Sequence, residues 1–262
     1  MLKNNLIGIS GKMQSGKDTV ATLIKNYIDR ESPYIIKKFA DKLKDITCIL
    51  IGCNREQLED SSFKESPLGE EWNKYKVGQI IYNNKEELLN SGYTLNDAEI
   101  IHLTPRKLLQ LLGTDCGRKI IHPDIWVNAT FCNYTPSQKW ILSDVRFPNE
   151  VKAIKDRGGI VIKVIRNDLS DFYIIEQAVK QAHKELCIRH SIDENNDSLL
   201  WDGDCYKENY QKEFDELYDI YIDLYKPHES ETALDSYTDW DYVIYNNGSL
   251  EDLNEKIRKI IL

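Results

Sequence analysis

The chain is 262 residues long and carries 43 acidic against 34 basic side chains, a formal charge of −9; that length suits one large domain with insertions better than two complete domains. With 41% hydrophobic and 29% charged residues, it can bury a core and is not a disordered chain. A pI of about 5.2 weighs against a basic coat for nucleic acid, and no apolar run approaches the roughly 18 residues that a membrane helix needs.

Leu6 to Ser10 is a short apolar run, and a helical pattern follows over 17–30. Tyr34 to Phe39 begins the same alternation again, with a helix over 41–51. A polar, irregular piece at 53–97 interrupts the rhythm, and two helical patterns at 104–117 and 123–132 come after it. The rhythm resumes with Trp140 to Ser143, a helix over 149–157, Ile160 to Ile165 and a helix over 171–187. An acidic stretch with a helix from about 205 to 225 precedes Asp241 to Tyr245 and a last helix over 249–261. Ser249 caps that helix, with Glu251 and Asp252 in its first turn.

Several of the runs are apolar on both faces, as buried parallel strands are. Strands alternating with helices imply an α/β, three-layer fold with a parallel sheet of about five strands covered on both faces. One domain over 1–262 is expected, with insertions at 53–135 and 167–240. Residues 193–231 hold 13 acidic and 3 basic side chains, a local charge of −10 that leaves +1 for the remainder. An anionic substrate is therefore expected on the nearly neutral body. The apolar run before Gly8 is too short for a signal peptide, and the six cysteines (48, 53, 116, 132, 187, 205) form no C-x-x-C pair and read as reduced, intracellular thiols.

The most informative stretch is Gly11-Lys12-Met13-Gln14-Ser15-Gly16-Lys17-Asp18-Thr19, a G-x-x-x-x-G-K pattern between an expected strand and an expected helix. Gly11 and Gly16 let the backbone curl so that amides around Met13, Ser15, Gly16, Asp18 and Thr19 form an anion nest at a helix N-terminus. Lys17 adds a mobile positive charge on a transferring phosphoryl group. The position after Lys17, usually Ser or Thr, is Asp18: a hard oxygen donor for Mg²⁺, or a carboxylate that only complements the helix dipole.

Asp144 ends the apolar run of 140–143, at the strand end where ligands bind in such sheets, and suits a second magnesium-orienting carboxylate. Val145, not the glutamate typical of motor-type ATPases, follows it, which favours a transferase over a hydrolase. Arg146 and Arg166, each at a strand end, are candidates for stabilising charge on the transferring group. In Thr104 to Arg118, Arg106 and Gln110 share a helix face, suited to a phosphate and a base edge together, with Trp126 or Tyr134 available to stack.

On these pieces the chain resembles the phage-type deoxynucleoside monophosphate kinases, a branch of the P-loop kinases. The matching residues are Gly11 to Thr19, Phe39-Ala40-Asp41, Thr104 to Arg118, Asp124-Ile125-Trp126, Ser143 to Glu150, His228 to Glu231 and Ile244 to Leu250. The resemblance implies a P-loop NTPase fold with ATP and Mg²⁺ as cofactors, and phosphorylation of a deoxynucleoside monophosphate to the diphosphate. It implies an acceptor pocket of Asp41, Arg106, Gln110, Asp115 and Arg118 with Trp126 beside them, and a lid-like role for 167–240. Small-molecule nucleotides are then the expected partners, without nucleic acid or membrane and with a homodimer allowed. The expected location is the cytoplasm, the host's if the chain is phage-encoded. No general base is required, because a phosphate monoester, with its second pKa near 6, is already largely ionised at neutral pH.

Other patterns carry less. His183, Cys187 and His190 share a helix face, with Cys205 or Glu194 as a fourth ligand, but this spacing without C-x-x-C is weak for zinc. Arg189 is a lesser candidate for a lid cation. The aromatic residues between Tyr206 and Tyr225 read as a core-facing stripe. Two competing readings remain: a P-loop kinase of the phosphomevalonate type, and a nucleotide-switch NTPase.

Overall fold

A computed structural model describes residues 4–28, 33–166, 171–193, 201–202, 205–225 and 228–261. In chain order the elements are β1 (Leu6–Ser10), α1 (Lys17–Ile28), β2 (Ile35–Lys37), α2 (Asp41–Ile51), α3 (Arg55–Glu59), α4 (Ser61–Glu65), β3 (Lys74–Val77), β4 (Ile80–Tyr82), α5 (Lys85–Asn90) and β5 (Glu99–Ile101). Then come α6 (Pro105–Gln110), a π-helix (Leu111–Ile121), α7 (Ile125–Phe131), β6 (Trp140–Val145), α8 (Pro148–Lys155), β7 (Ile160–Ile165) and α9 (Asp171–Arg189). The chain closes with β8 (Trp201–Asp202), β9 (Cys205–Tyr206), α10 (Glu208–Tyr225), α11 (Glu229–Thr232), β10 (Tyr242–Tyr245) and α12 (Leu250–Ile261).

The five expected strands form one sheet in the order β10-β7-β1-β6-β2, and every pairing is parallel. Alternation along each strand sends apolar side chains to both faces. Ile7, Ile9, Ile141, Ile162 and Val164 pack on Val20, Ala21 and Ile24 of α1 and on Leu253 and Ile257 of α12. Leu6, Trp140, Leu142 and Val161 pack oppositely on Val127 and Phe131 of α7 and Val151 and Ile154 of α8. The fold is the expected three-layer one, and among the described residues no helix is long and apolar enough to cross a membrane.

The insertions depart from their sequence patterns. The polar piece at 53–97 contains short helices and most of a three-stranded antiparallel sheet, β4-β3-β5, with Tyr75, Tyr82 and Leu88 as its core. Its strands have only three or four residues, too few for alternation to register. The helix expected over 104–117 widens at Leu111 into a π-helix that runs on to Ile121. The helix expected from 205 starts at Glu208, because Cys205 and Tyr206 pair with Asp202 and Trp201. α9 and α10 share a separate core of Ala182, Leu186, Cys187, Tyr206 and Leu217.

The zinc face does not assemble. His183 bonds the Tyr206 hydroxyl, His190 Nε2 lies 2.9 Å from Glu213 Oε2, and no group of three ligating side chains forms among the described residues. Glu194 and the last residues of the helix expected over 17–30 lie outside the described residues. Of the cysteines whose side chains are described, 48, 53, 116, 132 and 187 are free thiols.

Ile162 is fully buried between β7 and the α1/α12 layer. Ile162→Ala is expected to cost about 2–5 kcal/mol in urea unfolding. Ile49→Ala, at a position 81% exposed, should stay within about 0.5 kcal/mol.

Candidate active site

The loop between β1 and α1 is shaped by two close approaches. A Cβ at Gly11 would meet the Ser15 hydroxyl and, at 2.7 Å, the Val164 carbonyl; one at Gly16 would meet the Asn246 amide, and Gly16 has φ +89° besides. Gln14 is also left-handed, at φ 62°, a conformation that costs a non-glycine residue energy and marks a backbone held for a purpose. Asn246 Nδ2, from the loop after β10, donates to the Ser15 carbonyl at 2.9 Å and fixes the loop from behind. The buried Ser15 hydroxyl has no hydrogen-bond partner among the described residues. Two amides of the expected anion nest are engaged within the fold, Ser15 N–H on the Lys12 carbonyl at 3.1 Å and Met13 N–H on Glu231 at 3.1 Å, which leaves the nest to the other amides of the loop.

Lys17 is buried at the start of α1, its Nζ 3.4 Å from the Lys12 carbonyl. Burial, and then the Arg146 charge, draw its ammonium down to a pKa of about 8. Next to it, Asp18 Oδ1 accepts from Ser143 Oγ at 2.9 Å and meets Lys38 Nζ at 2.9 Å. Burial alone would raise the Asp18 carboxyl, but the Lys38 hydrogen bond and charge outweigh it and hold the pKa below the ordinary value. Asp18, 60% exposed and already drawing a cation, fits the demand of Mg²⁺ for one or two protein carboxylates completed by phosphate oxygens and water.

Asp144 is the second carboxylate of the site. Its carboxylate is buried and accepts the Phe39 amide at 2.7 Å on one oxygen and the Ala40 amide at 3.0 Å on the other. Each oxygen keeps a further lone pair, so the two amides fix the direction of the carboxylate without closing it to a metal. Asp144 therefore anchors the turn between β2 and α2 behind the exposed Asp18. Burial raises its pKa, against the two amides and Arg146.

Arg146 leaves the end of β6 towards α11. Its Nη1 donates to the Ser230 carbonyl at 3.3 Å and to Glu231, whose other oxygen accepts the Met13 amide of the loop after β1 at 3.1 Å. Lys12 and Asp235 form a second link at 3.7 Å. A cavity of about 390 Å³ opens here, lined by Gly11, Lys12, Ser15, Arg146, Arg166 and Glu231 among others. Arg166, exposed at the end of β7, faces this space as its strand position predicts.

The Thr104 to Arg118 stretch forms an adjoining wall, and the Arg106 charge is felt by Arg146. Thr104 caps the Lys107 amide at 3.2 Å, Arg106 pairs with Glu65 of α4, and Gln110 is half-buried. Arg118 departs from the expected open fork: it bonds Glu150 at 2.6 Å, lies over the Phe147 ring, and keeps a buried Nε without a partner among the described residues. Asp115 pairs outward with Lys119 at 2.8 Å and senses His228.

Four further candidate residues are engaged within the fold. Asp41 accepts the Lys38 amide at 2.9 Å and Arg55 at 3.1 Å, closing its own turn. Trp126 is buried with its indole N–H on the Gly113 carbonyl at 2.7 Å, and Tyr134 packs edge-on against Phe131 and Trp140; neither ring is an open stacking platform. Arg189 pairs with Glu185 and Glu213 on the α9/α10 surface.

Sequence reading passed over Lys38, Ser143, Asn246, Glu150 and Glu231 as site residues. Each acts on a partner chosen by folding: Glu150, buried, holds Arg118 together with the Arg146 and Phe147 amides at 2.7 and 3.1 Å. Ser143, Glu150, Glu231 and Asn246 do stand inside the family-like stretches, the one signal that could have raised them. Burial pushes the Glu150 pKa up to about 7, with Arg118 opposing.

Comparison with known proteins gives a family match. A model of the deoxynucleotide monophosphate kinases matches residues 28–200. The deoxynucleoside-5'-monophosphate kinase of Escherichia phage T5 is 27% identical over 189 residues, 58% of this chain and 72% of that protein. A putative deoxynucleotide monophosphate kinase of Acanthamoeba polyphaga mimivirus is 29% identical over 174 residues, 62% of this chain and 74% of that one. Among solved structures, that of TT1252 from Thermus thermophilus aligns over 98% of this chain and 95% of its own, at 16% identity and TM-score 0.33.

A pKa near 8 means that Lys17 carries its charge below that pH and loses it above. Calorimetry with inorganic triphosphate is expected to show affinity falling as pH rises through 8 in the wild-type chain. Lys17→Met should bind more weakly and lack that step; equal wild-type affinity on both sides would contradict the assignment.

Proposed function

The chain belongs to the deoxynucleotide monophosphate kinase family, and we propose that it transfers the γ-phosphoryl group of ATP to a deoxynucleoside monophosphate, forming the diphosphate and ADP. The observation that carries this reading is one continuous charge cluster. Lys17 feels Arg146, and Arg146 feels Arg106 of the adjoining wall. A cradle for one polyphosphate thus stands beside cations suited to a second anion.

The amides of Gly16 to Thr19 bind the donor phosphates, Met13 staying with Glu231 and Ser15 with the Lys12 carbonyl, and Lys17 sits on the group in transfer. Asp18 holds Mg²⁺, directly or through water, and Asp144 supports the turn behind it. The metal supplies charge neutralisation for the phosphate oxygens. Arg146 and Arg166 take up charge on the transferring group. Arg106 and Gln110 receive the monophosphate on the insertion at 53–135, and the segment 167–240 serves as the lid. Because the acceptor oxygen is already ionised, positioning and electrostatics are sufficient and no base has to be found.

A coupled ADP-release assay over a panel of nucleoside and deoxynucleoside monophosphates, with phosphomevalonate alongside, tests this. Turnover should require a monophosphate nucleotide. Lys17→Ala should lower kcat on the order of 10²–10³-fold with the fold intact by circular dichroism. Arg106→Ala should chiefly raise KM for the acceptor. Acceptor-independent hydrolysis, or turnover with phosphomevalonate alone, would refute the proposal.

A further inference from the structure

Glu231 does something that no reading of the phosphate loop requires. One of its oxygens accepts the Met13 amide at 3.1 Å and the other accepts Arg146 Nη1. The carboxylate therefore ties the tip of the loop to an arginine from β6, 85 residues earlier in the chain than itself. The same Nη1 also donates to the Ser230 carbonyl, so two acceptors on one short segment hold a single corner of the guanidinium.

The opposite edge is unengaged. Nη2 and Nε of Arg146 have no hydrogen bond among the described residues, and the side chain keeps 27% of its surface open, with the residue lining the cavity. A planar fork gripped at one corner and open at the other has lost most of its rotamer freedom while keeping donors for a phosphate. That is the geometry of an aimed cation. A carboxylate that merely filled the anion site would be expected to cover the open donors as well.

We propose that Glu231 is a positioning residue that aims Arg146 at the transferring phosphoryl group and locks it in register with the phosphate loop. The inference rests on the kinase reading above. It assigns to the end of the acidic stretch a part in the reaction itself, through Arg146.

The test is a double-mutant cycle on the full chain, with Glu231→Gln, Arg146→Ala and the pair, read as kcat and as KM for the monophosphate at saturating ATP·Mg²⁺. A glutamine cannot accept from both Met13 and Arg146, since one of its two terminal atoms is a donor. Glu231→Gln should lower kcat about tenfold with little change in KM, and Glu231→Asp should recover part of the loss. In the Arg146→Ala background the same change should alter kcat by less than about twofold. Independently of turnover, the Arg146 guanidinium proton resonance of the ligand-free protein should be slow to exchange, and should lose that protection in Glu231→Gln. If Glu231→Gln fails to fold, Glu231→Asp carries the cycle.

Equal losses in both backgrounds would overturn the proposal, as would tighter ATP binding with undiminished kcat, which would make Glu231 a competitor of phosphate. If the wild-type chain has no acceptor-dependent turnover, the kinase reading fails and this one with it. Turnover with additive losses sinks this one alone.

Discussion

Five strands running in one direction bring all their C-terminal ends to one edge of the sheet, and the central groups of the site follow those ends. The loop after β1 supplies Gly11 to Gly16, the end of β6 supplies Asp144 and Arg146, β7 ends at Arg166, and the turn after β10 supplies Asn246. In an antiparallel sheet half of these groups would lie at the far edge. The parallel arrangement itself needs both faces covered, which α1 and α12 do on one side and α7 and α8 on the other.

Collecting like charges at one edge is costly unless each is held by an opposite charge or a hydrogen bond. Asp18 stands against Lys38, Glu150 against Arg118, and Glu231 against Arg146. Asp144 is held by amides instead. These contacts do more to fix direction than to add stability, since a buried pair often gains little over an apolar replacement, while losing one partner costs about 3–5 kcal/mol. Glu150 illustrates the consequence: one carboxylate keeps an arginine of the π-helix and the turn that carries Arg146 at a fixed separation. The π-helix and the turn after β6 are therefore joined through one carboxylate.

The acidic stretch enters this network at its end. Most of its charge lies on α10 and the segments around it, while Glu231 and the nearby Asp235 lie over the phosphate loop. His228, whose pKa is lowered by burial, senses Asp115 on the other side. Asp115 of the first insertion and His228 of the second, just before α11, are thus near enough to interact.

Periodicity and punctuation along the chain were enough for the strands, the layers and the loop from Gly11 to Thr19, because apolar alternation and glycine spacing are local properties that burial rewards directly. The placement of Arg146 and Arg166 just past strand ends follows from the same local pattern. What lay beyond that reading was the choice of partner. Asp41, Arg118 and Trp126 are all of types suited to a nucleotide pocket, yet Asp41 closes a turn, Arg118 is neutralised by Glu150, and Trp126 is a wall support. The small sheet at 74–101 escaped notice because strands of three or four residues leave no period to detect. The family-like stretch at 228–231 marks Glu231, but its partners, Met13 and Arg146, are set only by folding. Local composition settles which segments are buried; which charge meets which is decided by contacts between residues a hundred or more positions apart.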